Sequence, residues 1–119
     1  MSSAEEQIKS VIEAVASNWD LHNWNEAKKL FADVVEIDYT SLGAPSVTHD
    51  PIDQLAQNWQ MVLPMFDRTK HFVDTFEITL VSPKEARSRC HVLAYHYLKG
   101  GEKGENWILI GHYEHNLVQ

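Results

Sequence analysis

The spacing of apolar positions divides the chain into a helical first half and a stranded second half. From Ala4 to Trp19 the residues Ile8, Val11, Ile12, Val15 and Trp19 recur at helical intervals, which predicts an amphipathic helix. Ser2 or Ser3 with Glu5 or Glu6 supplies its capping-box start. The pattern breaks at His22 and Asn23. Asn23 can cap a second, shorter helix with Glu26 three residues on and Trp24, Ala27, Leu30 and Phe31 along one side, so the two helices are expected to form a hairpin. Val35, Ile37 and Tyr39 then alternate with Glu36 and Asp38, the signature of a strand whose buried face Tyr39 shares. Ser41 to His49, with Gly43 and Pro45, reads as a loop. Asp50 is expected to cap a third helix that has Pro51 at its first position, carries Ile52, Leu55, Trp59, Val62 and Leu63 as its apolar stripe, and stops at Pro64.

Beyond Pro64 the period changes from helical to alternating and stays so. His71 to Val81, Arg87 to Leu98 and Trp107 to Val118 read as three long strands, joined by turns at Ser82-Pro83-Lys84 and Gly100 to Gly104. Helices followed by a meander define an α+β class rather than a parallel α/β sheet. No internal repeat, linker or low-complexity segment interrupts the order.

Composition bounds the rest. A chain of 119 residues with 44% hydrophobic content has material for one core, so residues 1–119 are expected to form one domain. Ten Lys and Arg against seventeen Asp and Glu give a formal charge of -7, which argues against nucleic acid or an anionic membrane surface as a partner. No apolar stretch approaches the roughly 20 residues of a membrane span. The one cysteine, Cys90, cannot form an internal disulfide, and the first residues lack a basic region followed by an apolar run, so a cytoplasmic setting is expected.

Four residues carry candidate chemistry. Cys90, Val92, Ala94 and His96 fall on one strand face of small and apolar residues, which places His96 as a titratable group in an apolar cavity. The same position suits a core histidine satisfied by one backbone carbonyl. Asp20, at the end of the first helix, either dips toward the sheet or makes local turn hydrogen bonds. His71 opens its strand after the charged run Asp67 to Lys70, and Tyr39 is either a core aromatic or a donor. Metal binding is the rival use of seven histidines, but His112 and His115 point to opposite strand faces and no HExxH or paired-cysteine spacing occurs, so no metal site is expected. A G-x-S-x-G nucleophile is absent, and Gly100-Gly101 precedes a turn rather than a helix, which offers no phosphate cradle.

The order Trp19-Asp20, Asn23-Trp24, Leu30-Phe31-Ala32-Asp33, Val35 to Tyr39, Lys70-His71-Phe72, the spacing from His71 to His96, and Gly111-His112 resembles the SnoaL-like branch of the NTF2-like superfamily, and within it the scytalone dehydratases. The resemblance implies a cone: helices packed on a strongly curved, mixed but mostly antiparallel sheet around a deep pocket. It also implies roles. His96 would take the proton next to a carbonyl and pass it to a departing hydroxyl, Asp20 would orient it, His71 would hold the leaving group or a water, and Tyr39 would polarise the carbonyl through water. Trp19, Trp59, Phe72, Val92, Ala94 and His115 would line the substrate pocket. Two departures stand out: Trp19 replaces the family's tyrosine before the aspartate, and the family's serine and asparagine on the last strand fall at His115 and Leu117. Relatives continue through one more strand, so the resemblance implies that the domain is trimmed and lacks its final strand, or that the cone is closed by a partner chain or left with an exposed edge.

The implied activity is a cofactor-independent lyase or isomerase, with dehydratase-type acid-base chemistry on a polyketide-like or other cyclic small molecule. Epoxide hydrolysis and aldol cyclisation fit the same pocket. A non-catalytic small-molecule-binding or dimerising module is the reading from a different class, and the family favours a homo-oligomer, dimer or trimer. A protein interaction surface on the aromatics of the last strand, Trp107 and Tyr113, is a third. Catalysis requires Asp20 and His96 within hydrogen-bonding reach around an accessible cavity.

Overall fold

The computed structural model describes residues 3–102 and 104–118. Ser2 and Lys103 lie outside them, so the capping box is defined by Ser3 and Glu6. Ser3 Oγ accepts from the Glu6 amide at 3.1 Å and Glu6 Oε2 accepts from the Ser3 amide at 3.3 Å, satisfying two of the orphan donors at the start of helix α1, Ala4–Asp20. The helix ends in a Schellman motif. The His22 amide donates to the Trp19 carbonyl at 3.1 Å and the Asn23 amide to the Asn18 carbonyl at 2.8 Å, with His22 at φ 59° in the left-handed position where glycine is usual. This termination fixes Asp20 as the last helical residue. Helix α2, Trp24–Lys28, follows at once and packs on α1; Asn23 sits at its N-cap but its side chain makes no capping bond.

The chain between α2 and the third helix departs from the sequence expectation. Strand β1, Val34–Ile37, pairs antiparallel with a strand β2, Thr48–Pro51, inside and beyond the stretch that reads as a loop. Asp50 does not cap helix α3, Ile52–Val62: its backbone is in the ladder opposite Val35, and Pro51 takes the N-cap position. Tyr39 lies past the end of β1, where a 3-10 turn over Thr40–Leu42 begins, and is 57% exposed rather than on a buried strand face. The Asp38 carboxylate explains the early end. It accepts from the Thr40 amide at 3.0 Å and the Thr40 hydroxyl at 2.6 Å, a local turn that competes with continued pairing.

The second half matches its reading closely. Strands β3, Arg68–Ser82, β4, Glu85–Tyr97, and β5, Asn106–Val118, form an antiparallel sheet in the order β3-β4-β5. Every strand pairing among the described residues is antiparallel. The register shifts between Asp74 and Glu77, where Thr75 takes φ 52°, and this bulge bends the long β3. One sheet face is covered by α1 and carries Ala86, Ser88, Cys90, Val92 and Ala94 from β4, all buried; the other is open. The helices contribute Ile12, Ala16, Ala27 and Ala56 to this core. Its residues are small, and Cys90 is the largest side chain that is fully buried. A covered face floored by alanine, valine and glycine holds helices and sheet together while leaving room beside the floor.

Candidate active site

Cross-strand pairing decides which side chains share the covered face. Thr69 stands opposite His96 and His96 opposite Trp107; His71 stands opposite Ala94 and Ala94 opposite Leu109. The two histidines are therefore on one face, in adjacent rows. Their rings approach edge to face with centroids 5.9 Å apart.

Helix α1 crosses β3, and its last residue meets the outer edge of that strand. The Asp20 carboxylate collects three donors from two alternate residues of β3. Oδ2 accepts from the His71 amide at 2.7 Å, and Oδ1 accepts from the Thr69 hydroxyl at 3.1 Å and lies 2.7 Å from His71 Nδ1. The Asp20 and His71 side chains are only 8% and 6% exposed. A carboxylate at the C-terminal end of a helix faces the negative end of the dipole, so these bonds also offset an unfavourable placement. With Asp20 ionised, Nδ1 carries the shared proton and Nε2 keeps its lone pair.

This partnership corrects the expectation that Asp20 orients His96: the pair that reading required for catalysis is not formed, and the hydrogen-bonded pair on this face is Asp20 with His71. His96 lies one strand further from α1, and its Nδ1 is 3.3 Å from the Trp107 carbonyl, while Phe66 packs on its ring at 4.8 Å. Helix α1 lies over β3, so the carboxylate reaches His71 first. Trp19 packs edge to face on His71 at 5.5 Å and on Trp59 at 5.6 Å, which walls the dyad with indole. The indole N–H of Trp19 is buried without a partner among the described residues.

The remaining expected pocket residues divide. Val92 and Ala94 are buried on the covered face. Phe72 is not: it alternates with His71 on β3, faces outward, is 54% exposed and lies under the Lys70 ammonium. His115 faces inward opposite Ser88, far along the strands from His71, and burial holds its pKa below the usual range. Tyr39 is more than half exposed at its turn, yet enough protein surrounds the phenol to push its pKa up. A residue the sequence did not single out also enters. Thr69 anchors Asp20, two positions before His71 on the same face, a spacing that could have been read once a strand was assigned there. Tyr113, read from the sequence as part of an aromatic interaction surface, instead faces inward on β5, half-buried and two residues beyond Gly111.

An open cleft of about 330 Å³ runs along the start of β3 and is lined by Asp20, His22, Asp67, Arg68, Thr69, Lys70 and Tyr95. It meets the dyad at Asp20 alone, since His71 is not among its lining residues. No group of three or more His, Cys, Asp or Glu among the described residues is arranged to hold a metal ion.

Helices laid across a bent antiparallel sheet define an NTF2-like fold. The chain belongs to the SnoaL-like domain family, whose profile matches residues 1–119. Solved structures agree on the fold. The Kfla4162 protein of Kribbella flavida is similar at 20% identity with a TM-score of 0.88, over 96% of this chain and 79% of that one. A candidate scytalone dehydratase from Novosphingobium aromaticivorans is similar at 25% identity with a TM-score of 0.79, over 94% of this chain and 71% of that one. A hexachlorocyclohexane dehydrochlorinase has a TM-score of 0.69 at 16% identity, over 97% and 77% of the two chains. No curated protein matches the sequence.

Proposed function

We propose that the protein is a cofactor-independent lyase or isomerase that removes a proton next to a carbonyl of a cyclic, polyketide-like small molecule and expels a hydroxyl. The observation that carries this reading is the Asp20 to His71 contact of 2.7 Å on the covered face. His71 Nε2 takes the proton, and the electron pair moves onto the carbonyl oxygen. Asp20 holds the ring in place and balances the imidazolium that forms. The hydroxyl leaves with a proton returned by the imidazolium, either directly or through His96, whose ring stands 5.9 Å away. Family membership supports the reading, because a candidate scytalone dehydratase and a dehydrochlorinase share the fold and both names denote elimination.

A small-molecule-binding module is the second reading, favoured by the open cleft that Asp20 lines and His71 does not. One experiment separates them. A set of cyclic β-hydroxy ketones is incubated with wild type and His71→Gln, and loss of water is followed by NMR and by the absorbance of the conjugated product. The enzyme reading expects wild-type turnover that falls by about 100-fold or more in the variant, with the fold retained by circular dichroism. Equal rates in the two proteins reject it.

A further inference from the structure

Elimination next to a carbonyl needs a donor for the oxygen as well as a base for the carbon. The covered face of β5 offers such a group. Its inward residues are Trp107, Leu109, Gly111, Tyr113, His115 and Leu117, opposite His96, Ala94, Val92, Cys90, Ser88 and Ala86. At Gly111 a side chain is missing from this row, and a Cβ built there would meet no atom within 4 Å. The floor beside it is Val92 and, one row on, Ala94. Open space therefore lies over Gly111, whose cross-strand row falls between the row of His71 and Ala94 and the row of Tyr113 and Cys90.

We infer that Tyr113 is the hydrogen-bond donor to the substrate's carbonyl oxygen, and that the hollow over Gly111 seats the planar ring between this phenol and the His71 base. The inference rests on the proposed elimination and adds to it the group that meets the developing enolate. Three observations support it. Tyr113 faces inward, yet its hydroxyl is neither hydrogen-bonded nor sealed from solvent among the described residues, so it remains free to donate. Its ring packs edge to face on His115 at 5.7 Å, and its backbone stands opposite the buried Cys90, which places the phenol over the covered face. The phenol also stays protonated: burial, followed by the negative charges of Tyr39, Cys90 and Asp20, pushes its pKa up to about 12. In the reaction the α C–H bond breaks toward His71 Nε2, its electron pair forms the enolate, and the Tyr113 O–H donates to that oxygen without transferring its proton. Collapse of the enolate expels the β-hydroxyl, which leaves as water with the proton from His71.

Two probes test this. 2-Naphthol mimics a cyclic enol and its binding is followed by tryptophan fluorescence; 2-tetralone reports enolisation through α-deuterium exchange seen by NMR. Wild type, Tyr113→Phe, Gly111→Val and His71→Gln are compared. Tyr113→Phe removes one oxygen that makes no internal bond, and valine suits the extended backbone at Gly111, so both variants should fold. The proposal expects 2-naphthol to bind at least about 10-fold more weakly to Tyr113→Phe, and exchange to slow by about 10-fold or more. Gly111→Val should lose binding by filling the hollow. Binding and exchange that are unchanged in Tyr113→Phe overturn the proposal, even when His71→Gln abolishes exchange and so upholds the base. If instead His71→Gln exchanges as fast as wild type while Tyr113→Phe still weakens 2-naphthol, the base assignment falls and the donor stands. A wild type that does not bind 2-naphthol overturns the donor as well.

Discussion

At the scale of single residues, the site is governed by what each polar group can reach. Asp20 has three donors within 3.1 Å, and two of them belong to one residue, so it fixes the backbone and the ring of His71 together. Cys90 shows the opposite case. It is 0% exposed, and burial, with a smaller contribution from the charge of Asp74, pushes its thiol pKa up. Since the thiolate is the reactive form, Cys90 is expected to react with a disulfide reagent at pH 8 on the order of a thousandfold more slowly in the native protein than in urea. Rapid native labelling would contradict the packing of β4.

Among the elements, the long β3 carries most of the design. Its alternation turns Thr69 and His71 toward α1 and sends Phe72 outward, and its bulge changes the phase beyond Asp74. Thr75 occupies the bulge at φ 52°, a left-handed conformation that costs a β-branched residue about 1–2 kcal/mol. Thr75→Gly removes that cost, and only the exposed 3.3 Å bond from Thr75 Oγ1 to Asp74 is lost with it. Unfolding in urea should therefore show a gain of about 1 kcal/mol, whereas Thr75→Val should show none. Equal midpoints for the glycine and valine variants would argue against strain at this position.

For the whole molecule, burial of titratable groups sets a window of stability. The folded pKa of His115 lies below its ordinary 6.5, so the unfolded chain takes up a proton that the folded chain refuses. Its contribution is complete above pH 6.5 and declines as the pH falls below. Tyr113 behaves inversely. The unfolded phenol ionises near 10 and the folded one at about 12, so its contribution is complete below pH 10 and is lost as the pH rises toward 12. Thermal melts across pH should show a plateau with both limbs falling, the acid limb shallower in His115→Leu and the alkaline limb shallower in Tyr113→Phe. Limbs identical to wild type in both variants would mean that neither group is coupled to folding.

Local pattern was enough to read the first helix, the three long strands, their turns and the inward face of β4, because each follows from periodicity over many residues. The same pattern put Val92, Ala94 and His96 on one face and His71 at a strand start. It failed where a few local bonds outweigh periodicity: at Asp38, whose turn with Thr40 releases Tyr39 from the strand, and at His49 and Asp50, which complete a short hairpin instead of a loop and a cap. The choice of partner for Asp20 was beyond any local rule. It depends on where α1 crosses the sheet, which is set by packing between segments about 50 residues apart and by a helix end that uses histidine where glycine is usual. Chemistry-bearing residue types are thus written along the chain, but the pairing of Asp20 with His71 exists only once the helix lies across the sheet.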